Sequence, residues 1–99
     1  MKIGFIVNPV SGSAAGSQKH LHKAIDHLEK QGCAVELLKT KNEGDGTLLA
    51  RHLADRGFDV AVAVGGDGTI NEVCNGLAHH TGTALAVLPA GTGNVYAAE

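Results

Sequence analysis

Short apolar runs alternate with helix-spaced apolar stripes along the chain, and this alternation restricts the fold more than any other feature. Residues 3–7, 60–64 and 84–88 are nearly continuous apolar runs bounded by Gly or Pro. Runs of that kind suit strands buried on both faces of a parallel sheet. Residues 34–38 form a fourth run, and Glu36 within it points to a place nearer the sheet edge. Between the runs, Leu21, Ala24, Ile25 and Leu28 fall at i, i+3, i+4 and i+7. Ile70, Val73, Cys74 and Leu77 repeat that spacing, and Leu49 and Leu53 form a shorter stripe between Thr47 and Arg56. Such stripes mark helices with one buried side. Each is followed by a glycine, Gly32, Gly57 or Gly82, suited to the left-handed residue that closes a helix.

The predicted order is βαβαβαβ, an open three-layer α/β sandwich on a parallel sheet with right-handed crossovers. After the fourth strand, residues 94–99 read as the start of a further helix of about one turn, too short to stand alone. With three helices for four strands, one face is expected to be thinly covered, leaving an exposed apolar patch for self-association or for a further domain. The chain is accordingly expected to be the N-terminal piece of something longer.

Composition narrows the function classes. The 99 residues carry 8 Lys+Arg and 10 Asp+Glu, a net charge of −2, which argues against a nucleic-acid or anionic-membrane surface built on charge. Aromatic residues make up 3% with no Trp, so stacking platforms for bases are poorly supplied. No apolar run is long enough to span a membrane, and the start lacks the apolar core and cleavage site of a signal peptide. Cys33 and Cys74 form no CxxC pair and read as reduced, buried, inert thiols, in keeping with a cytoplasmic protein. Glycine, by contrast, is abundant at 14 of 99 and is clustered.

Those clusters follow the strands. The loops are residues 8–13 after the first run, Thr40 with residues 42–46 after the second, 65–69 after the third and 89–94 after the fourth. All lie at the carboxyl ends of parallel strands, where open α/β sheets bind ligands. Gly65-Gly66-Asp67-Gly68-Thr69 is the sharpest: a buried strand runs through glycines into a helix N-terminus, an arrangement suited to a nucleotide phosphate. A purely structural account competes with it, since Thr69 and Glu72 have capping-box spacing, Asp67 is also a capping residue, and Gly65-Gly66 suits a tight turn. The loops match neither a phosphate-loop lysine motif nor the dinucleotide fingerprint, because Asn71 stands where the third glycine would fall. No Lys or Arg lies within the loops so delimited, leaving phosphate charge to main-chain dipoles, hydroxyls, a divalent cation or residues outside this chain.

Other residues carry less. His20 and His27 share a helix side and His79-His80 are adjacent, but no metal-binding spacing accompanies them, and they read as solvated. Ser11 and Ser13 lie outside any nucleophile-elbow motif. Lys19, Lys23 and Lys30 read as a wet helix face.

Three segments together, Asn8-Pro9-x-Ser11-Gly12, Gly65-Gly66-Asp67-Gly68-Thr69-Ile70-Asn71-Glu72-Val73 and Pro89-x-Gly91-Thr92-x-Asn94, resemble the diacylglycerol kinase catalytic domain family, in particular the bacterial soluble lipid kinases related to diacylglycerol and sphingosine kinases. The resemblance covers essentially the whole chain. It implies a phosphofructokinase-like nucleotide-binding domain, with 1–99 as its N-terminal portion. It also implies a second, β-sandwich domain that supplies the lipid pocket, metal ligands and catalytic carboxylate, so that no catalytic residue is expected within these residues. Carried over by position, Asn8, Pro9, Val10, Ser11, Gly12, Thr40, Gly65, Gly66, Asp67, Gly68, Thr69, Ile70, Asn71, Glu72, Gly91, Thr92 and Asn94 line the nucleotide, and Asp67 bears indirectly on Mg2+. Where many members continue the last motif with Asp, an aromatic, Ala and Arg, this chain has Val95, Tyr96, Ala97 and Ala98.

The function so implied is transfer of the γ-phosphoryl group of Mg-ATP to a lipid hydroxyl such as that of diacylglycerol. The partners are ATP and, through the second domain, a lipid acceptor. Peripheral membrane contact belongs to the full enzyme, and no nucleic acid is expected. Two other readings share the glycine loop: an NAD kinase-like nucleotide kinase, and a non-catalytic nucleotide-binding module. Residues 8–12 and 91–94 fit the lipid kinases better than the NAD kinases.

Overall fold

A computed structural model describes residues 1–9, 14–89 and 96–98, with the backbone alone for 14–18, 89 and 96–98. In chain order the elements are β1 (Lys2–Val7), α1 (Ala14–Lys30), β2 (Ala34–Lys39), α2 (Asp45–Asp55), β3 (Val60–Gly65), α3 (Asp67–Leu77), β4 (Ala84–Pro89) and β5 (Tyr96–Ala98). The sheet order is β2-β1-β3-β4-β5. The first four strands are mutually parallel, with Ile3 paired to Val35 on one side and Val60 on the other. Glu36 thus lies on an edge strand, as its charge requires.

The strands bury side chains on both faces of the sheet. On one, Ile3 and Phe5 of β1 and Val62 and Val64 of β3 meet Leu21 of α1, with Ala24, Ile25 and Leu28 packed alongside. On the other, Ile6, Ala61 and Ala63 meet Ala50 and Leu53 of α2 and Val73 and Leu77 of α3. β3 therefore turns valines to the single helix and alanines to the pair, whose closer approach leaves room for little else. Gly4 serves the same end, since a Cβ there would overlap the Leu53 side chain. The two helices also press on each other: a Cβ at Gly76 would overlap the Thr47 carbonyl and stand 2.7 Å from the Ala50 Cβ.

Two helix ends follow the expected chemistry. Gly32 (φ 90°) and Gly57 (φ 77°) take left-handed conformations. The residues after them close the turns, Cys33 N–H donating to the Leu28 carbonyl at 3.1 Å and Phe58 N–H to that of Leu53 at 3.0 Å. The third end differs. Positive φ falls on His79 (70°), not Gly82, because α3 stops at Leu77. Cys74 is another correction: it is exposed, and Cys33 is half-buried. The buried side of α3 is Thr69, Val73, Gly76 and Leu77, a stripe narrowed by its packing on α2, and Cys74 falls outside it.

The predicted terminal helix is instead a strand. Residues 96–98 pair antiparallel with β4, Tyr96 opposite Val87 and Ala98 opposite Leu85. One turn of helix would leave most of its backbone groups without partners. The bare edge of β4 offers those groups hydrogen bonds at once. The large apolar side chains exposed among the described residues are Met1, Leu37 and Leu48, on the N-terminus, the edge strand and α2. No helix among the described residues is long and apolar enough to cross a membrane.

Candidate functional site

The sheet's order reverses between β1 and β3: the chain leaves β1 for β2 on one side, then returns across it to β3 and β4. Such a switch point opens a crevice at the carboxyl ends of the two strands. Asn8 follows β1 there, and its N–H donates to the Val64 carbonyl at 3.2 Å, fixing the loop start against β3. Thr40 follows β2 and is fixed in turn, its N–H donating to the Val7 carbonyl at 2.9 Å.

Beside these residues lies a cleft of about 340 Å³ lined by Asn8, Thr40, Lys41, Asn42, Glu43, Gly68, Thr69 and Glu72. Three loops expected to cooperate thus contribute Asn8, Thr40, Gly68, Thr69 and Glu72 to one concavity. Thr69 and Thr40 are nearly buried in its walls, at 6% and 9% exposure. Of the other predicted residues, Pro9, Gly66, Asp67 and Asn71 are exposed outside this lining. Gly65 is buried at the end of β3, while Ile70 is packed against the core shared by α2 and α3. Val10, Ser11, Gly12, Gly91, Thr92 and Asn94 lie outside the described residues.

The glycines of residues 65–68 are not equivalent. Gly65 has φ 153°, a conformation other residues rarely adopt, so the turn itself requires glycine there. Gly66 is extended (φ −94°) and Gly68 lies in the first turn of α3. A Cβ built on either meets nothing within 4 Å. Neither the backbone nor packing among the described residues calls for glycine at 66 or 68. The N-terminus of α3 has Gly66 as its cap residue and no side-chain cap. The competing capping box is absent: α3 begins at Asp67, which places Thr69 inside its first turn and not at the cap, and the Glu72 carboxylate is engaged elsewhere.

Glu72 reaches from α3 to the start of α2. Its carboxylate accepts the Gly44 N–H at 3.0 Å and the Gly46 N–H at 2.9 Å. The Thr47 hydroxyl donates to the Glu72 carbonyl at 2.8 Å. Asp45 holds the preceding turn, one carboxylate oxygen accepting the N–H groups of Lys41 and Asn42, each at 2.8 Å. Those two bonds, aided by the nearby Lys41 charge and opposed by partial desolvation, lower the Asp45 pKa below its ordinary 3.8.

Sequence reasoning names none of Lys41, Asn42 and Glu43 as site residues. Drawing the loop as Thr40 and residues 42–46 takes in Asn42 and Glu43 without assigning them a role, and steps over the cation before them. Counting every residue after the second strand would have found it. Among the described residues no three His, Cys, Asp or Glu side chains gather to hold a metal ion. His27 shares a 3.1 Å hydrogen bond with Gln31, and His80 lies 3.9 Å from Asp55.

Comparison with known proteins bears on the family and the fold. The chain is 43% identical over 93 residues to a diacylglycerol kinase of Bacillus subtilis strain 168, covering 93% of this chain and 30% of that protein. It is 41% identical over 90 residues to a diacylglycerol kinase of Staphylococcus aureus strain JH9, covering 90% of this chain and 28% of the relative. A diacylglycerol kinase crystal structure from Bacillus anthracis strain Sterne superposes with a TM-score of 0.71 at 32% identity, over 92% of this chain and 33% of that one. A phosphate-loop protein solved in solution shares the fold, with a TM-score of 0.65 at 21% identity over 90% of this chain and 78% of its own. The chain therefore spans about 30% of the length of the curated relatives it matches. The model of the diacylglycerol kinase catalytic domain matches residues 2–99, nearly the whole chain, and the chain belongs to that family.

Proposed function

We propose that these residues form the nucleotide-binding part of a lipid kinase that uses Mg-ATP to phosphorylate a lipid hydroxyl such as that of diacylglycerol. The observation that carries the reading is the pair Gly66 and Gly68. Space for a side chain lies open at both, beside an uncapped helix N-terminus at the sheet's switch point. Glycine there admits a ligand's phosphates to main-chain N–H groups, and the helix dipole favours their charge.

In this reading the triphosphate lies across the N-terminus of α3, with Thr40 and Thr69 offering hydroxyls from the two walls. Lys41 adds the positive charge that the glycine loops lack, held near the phosphates by the Asp45 bond to its N–H. Mg2+ ordinarily keeps several waters and binds through one or two carboxylates and the substrate's phosphates. Asp67, exposed in the first turn of α3, fits that indirect role. The lipid oxygen would attack the γ-phosphorus as the bond to the bridging oxygen of ADP breaks, the hydroxyl proton passing to a base in the second domain that the family resemblance implies. The contribution of these 99 residues is to hold and orient the nucleotide. The protein's place is then in the cytoplasm, touching the membrane only to reach its acceptor.

The test is a phosphoryl-transfer assay on the full-length protein with diacylglycerol vesicles or NAD as alternative acceptors. Mg-ATP-dependent formation of phosphatidic acid supports the proposal. Phosphorylation of NAD, or of neither acceptor by a folded protein that binds ATP, overturns it.

A further inference from the structure

Glu72 stands one turn beyond Thr69 on α3, yet its carboxylate serves another helix. The cap residue of α2, Gly44, has φ 90° and no side chain with which to cap, so α2 has no cap of its own. Glu72 supplies one from 28 residues away, taking both the Gly44 and Gly46 N–H groups. The fit depends on glycine, since a Cβ at Gly46 would stand 2.7 Å from the Glu72 carboxylate oxygen and 2.9 Å from its Cβ. The loop so fastened carries Thr40, Lys41 and Asn42 along one wall of the cleft, and the helix that bears Glu72 supplies Gly68 and Thr69 to the other.

We infer that Glu72 is a positioning residue: it fixes the separation of the two cleft walls, and with it nucleotide affinity, without itself contacting the phosphates. Charge supports this division of labour. A carboxylate turned toward the N-terminus of α3 would compete with an anion there; turned onto α2, it stabilises that helix's dipole instead. The inference rests on the nucleotide-binding reading above and adds a role that reading does not contain.

Replacement separates latch from ligand contact. Glu72→Ala removes both acceptors, whereas Glu72→Gln keeps one oxygen and sets an amide NH2 against the other N–H. Gly46→Ala leaves Glu72 in place and displaces its carboxylate. Thr47→Val removes only the hydroxyl bond to the Glu72 carbonyl, and keeps the test open if Glu72→Ala does not fold.

The experiment measures Mg-ATP affinity and steady-state kinetics of each variant in the full-length protein, with folding checked by thermal melting. Glu72→Ala and Gly46→Ala should raise the KM for nucleotide about 10-fold, with kcat at saturating nucleotide and the magnesium dependence nearly unchanged. Glu72→Gln should be intermediate, and Thr47→Val a weaker copy of Glu72→Ala. Unchanged KM in folded Glu72→Ala and Gly46→Ala overturns the latch alone. A shifted magnesium requirement or a kcat loss in Glu72→Gln overturns it in favour of direct contact. Failure of the wild-type protein to bind Mg-ATP removes the nucleotide reading, and the latch with it.

Discussion

The carboxylate of Asp45 accepts the Lys41 N–H at 2.8 Å and so holds the backbone of the cation that lines the cleft. The same oxygen accepts the Asn42 N–H, and the Asp45 N–H donates to the Asn42 carbonyl at 3.1 Å, closing the turn into α2. Because these bonds favour the ionised form, the folded-state pKa lies below the unfolded value near 3.8. Its stabilisation is therefore present above that value and lost as pH falls through the folded pKa. Asp45→Asn should lower the melting temperature at pH 7, and the gap to wild type should begin to narrow near pH 3.8 and close only once the pH lies below the folded pKa, where both carry a neutral side chain. A gap independent of pH would contradict this account of Asp45.

Lys41 has no ion pair within 4 Å among the described residues, so its charge remains available to a ligand. Lys41→Met should weaken ATP binding about 2–5-fold at low ionic strength, an exposed charge being worth no more than that. The loss should shrink with added salt. Adenosine, without phosphates, should bind both proteins alike; an equal loss for adenosine would mean that Lys41 acts by shaping the loop.

Gly68 separates binding from folding. Its Cα faces open space and it lies in a helix, where alanine is preferred by about 1 kcal/mol. Gly68→Ala should therefore melt at or above the wild-type temperature while losing about 10- to 100-fold in nucleotide affinity. Retained affinity would assign the glycine to the turn alone.

Leu53, fully buried and seated on Gly4, should be among the most costly positions in the core. Leu53→Ala should reduce unfolding free energy by about 2–5 kcal/mol, read from denaturant midpoints, since the Ala-lined sheet beneath it cannot collapse into the space. A loss below about 1 kcal/mol would show that α2 shifts to fill the cavity.

Much of this was legible in the chain itself. The apolar runs located β1 to β4, and the stripe at Leu21, Ala24, Ile25 and Leu28 located the buried side of α1, because both periods are set by burial. The loops could be placed on one rim because parallel strands allow only that. Longer-range contacts were not legible. Thr69 and Glu72 have capping spacing, but α3 begins two residues before Thr69, and the Glu72 carboxylate instead meets Gly44 and Gly46, brought close only by the packing of α2 on α3. Likewise the last residues read as helical until the open edge of β4 is known to lie beside them. Lys41 was visible and was missed by where the loop was drawn.

The most direct measurement is a calorimetric titration of Mg-ATP into the folded full-length protein. A saturable heat, abolished or strongly weakened by Gly68→Ala at unchanged melting temperature, is the predicted result. A folded wild-type protein that evolves no binding heat with Mg-ATP would contradict the nucleotide cradle on which the functional reading stands.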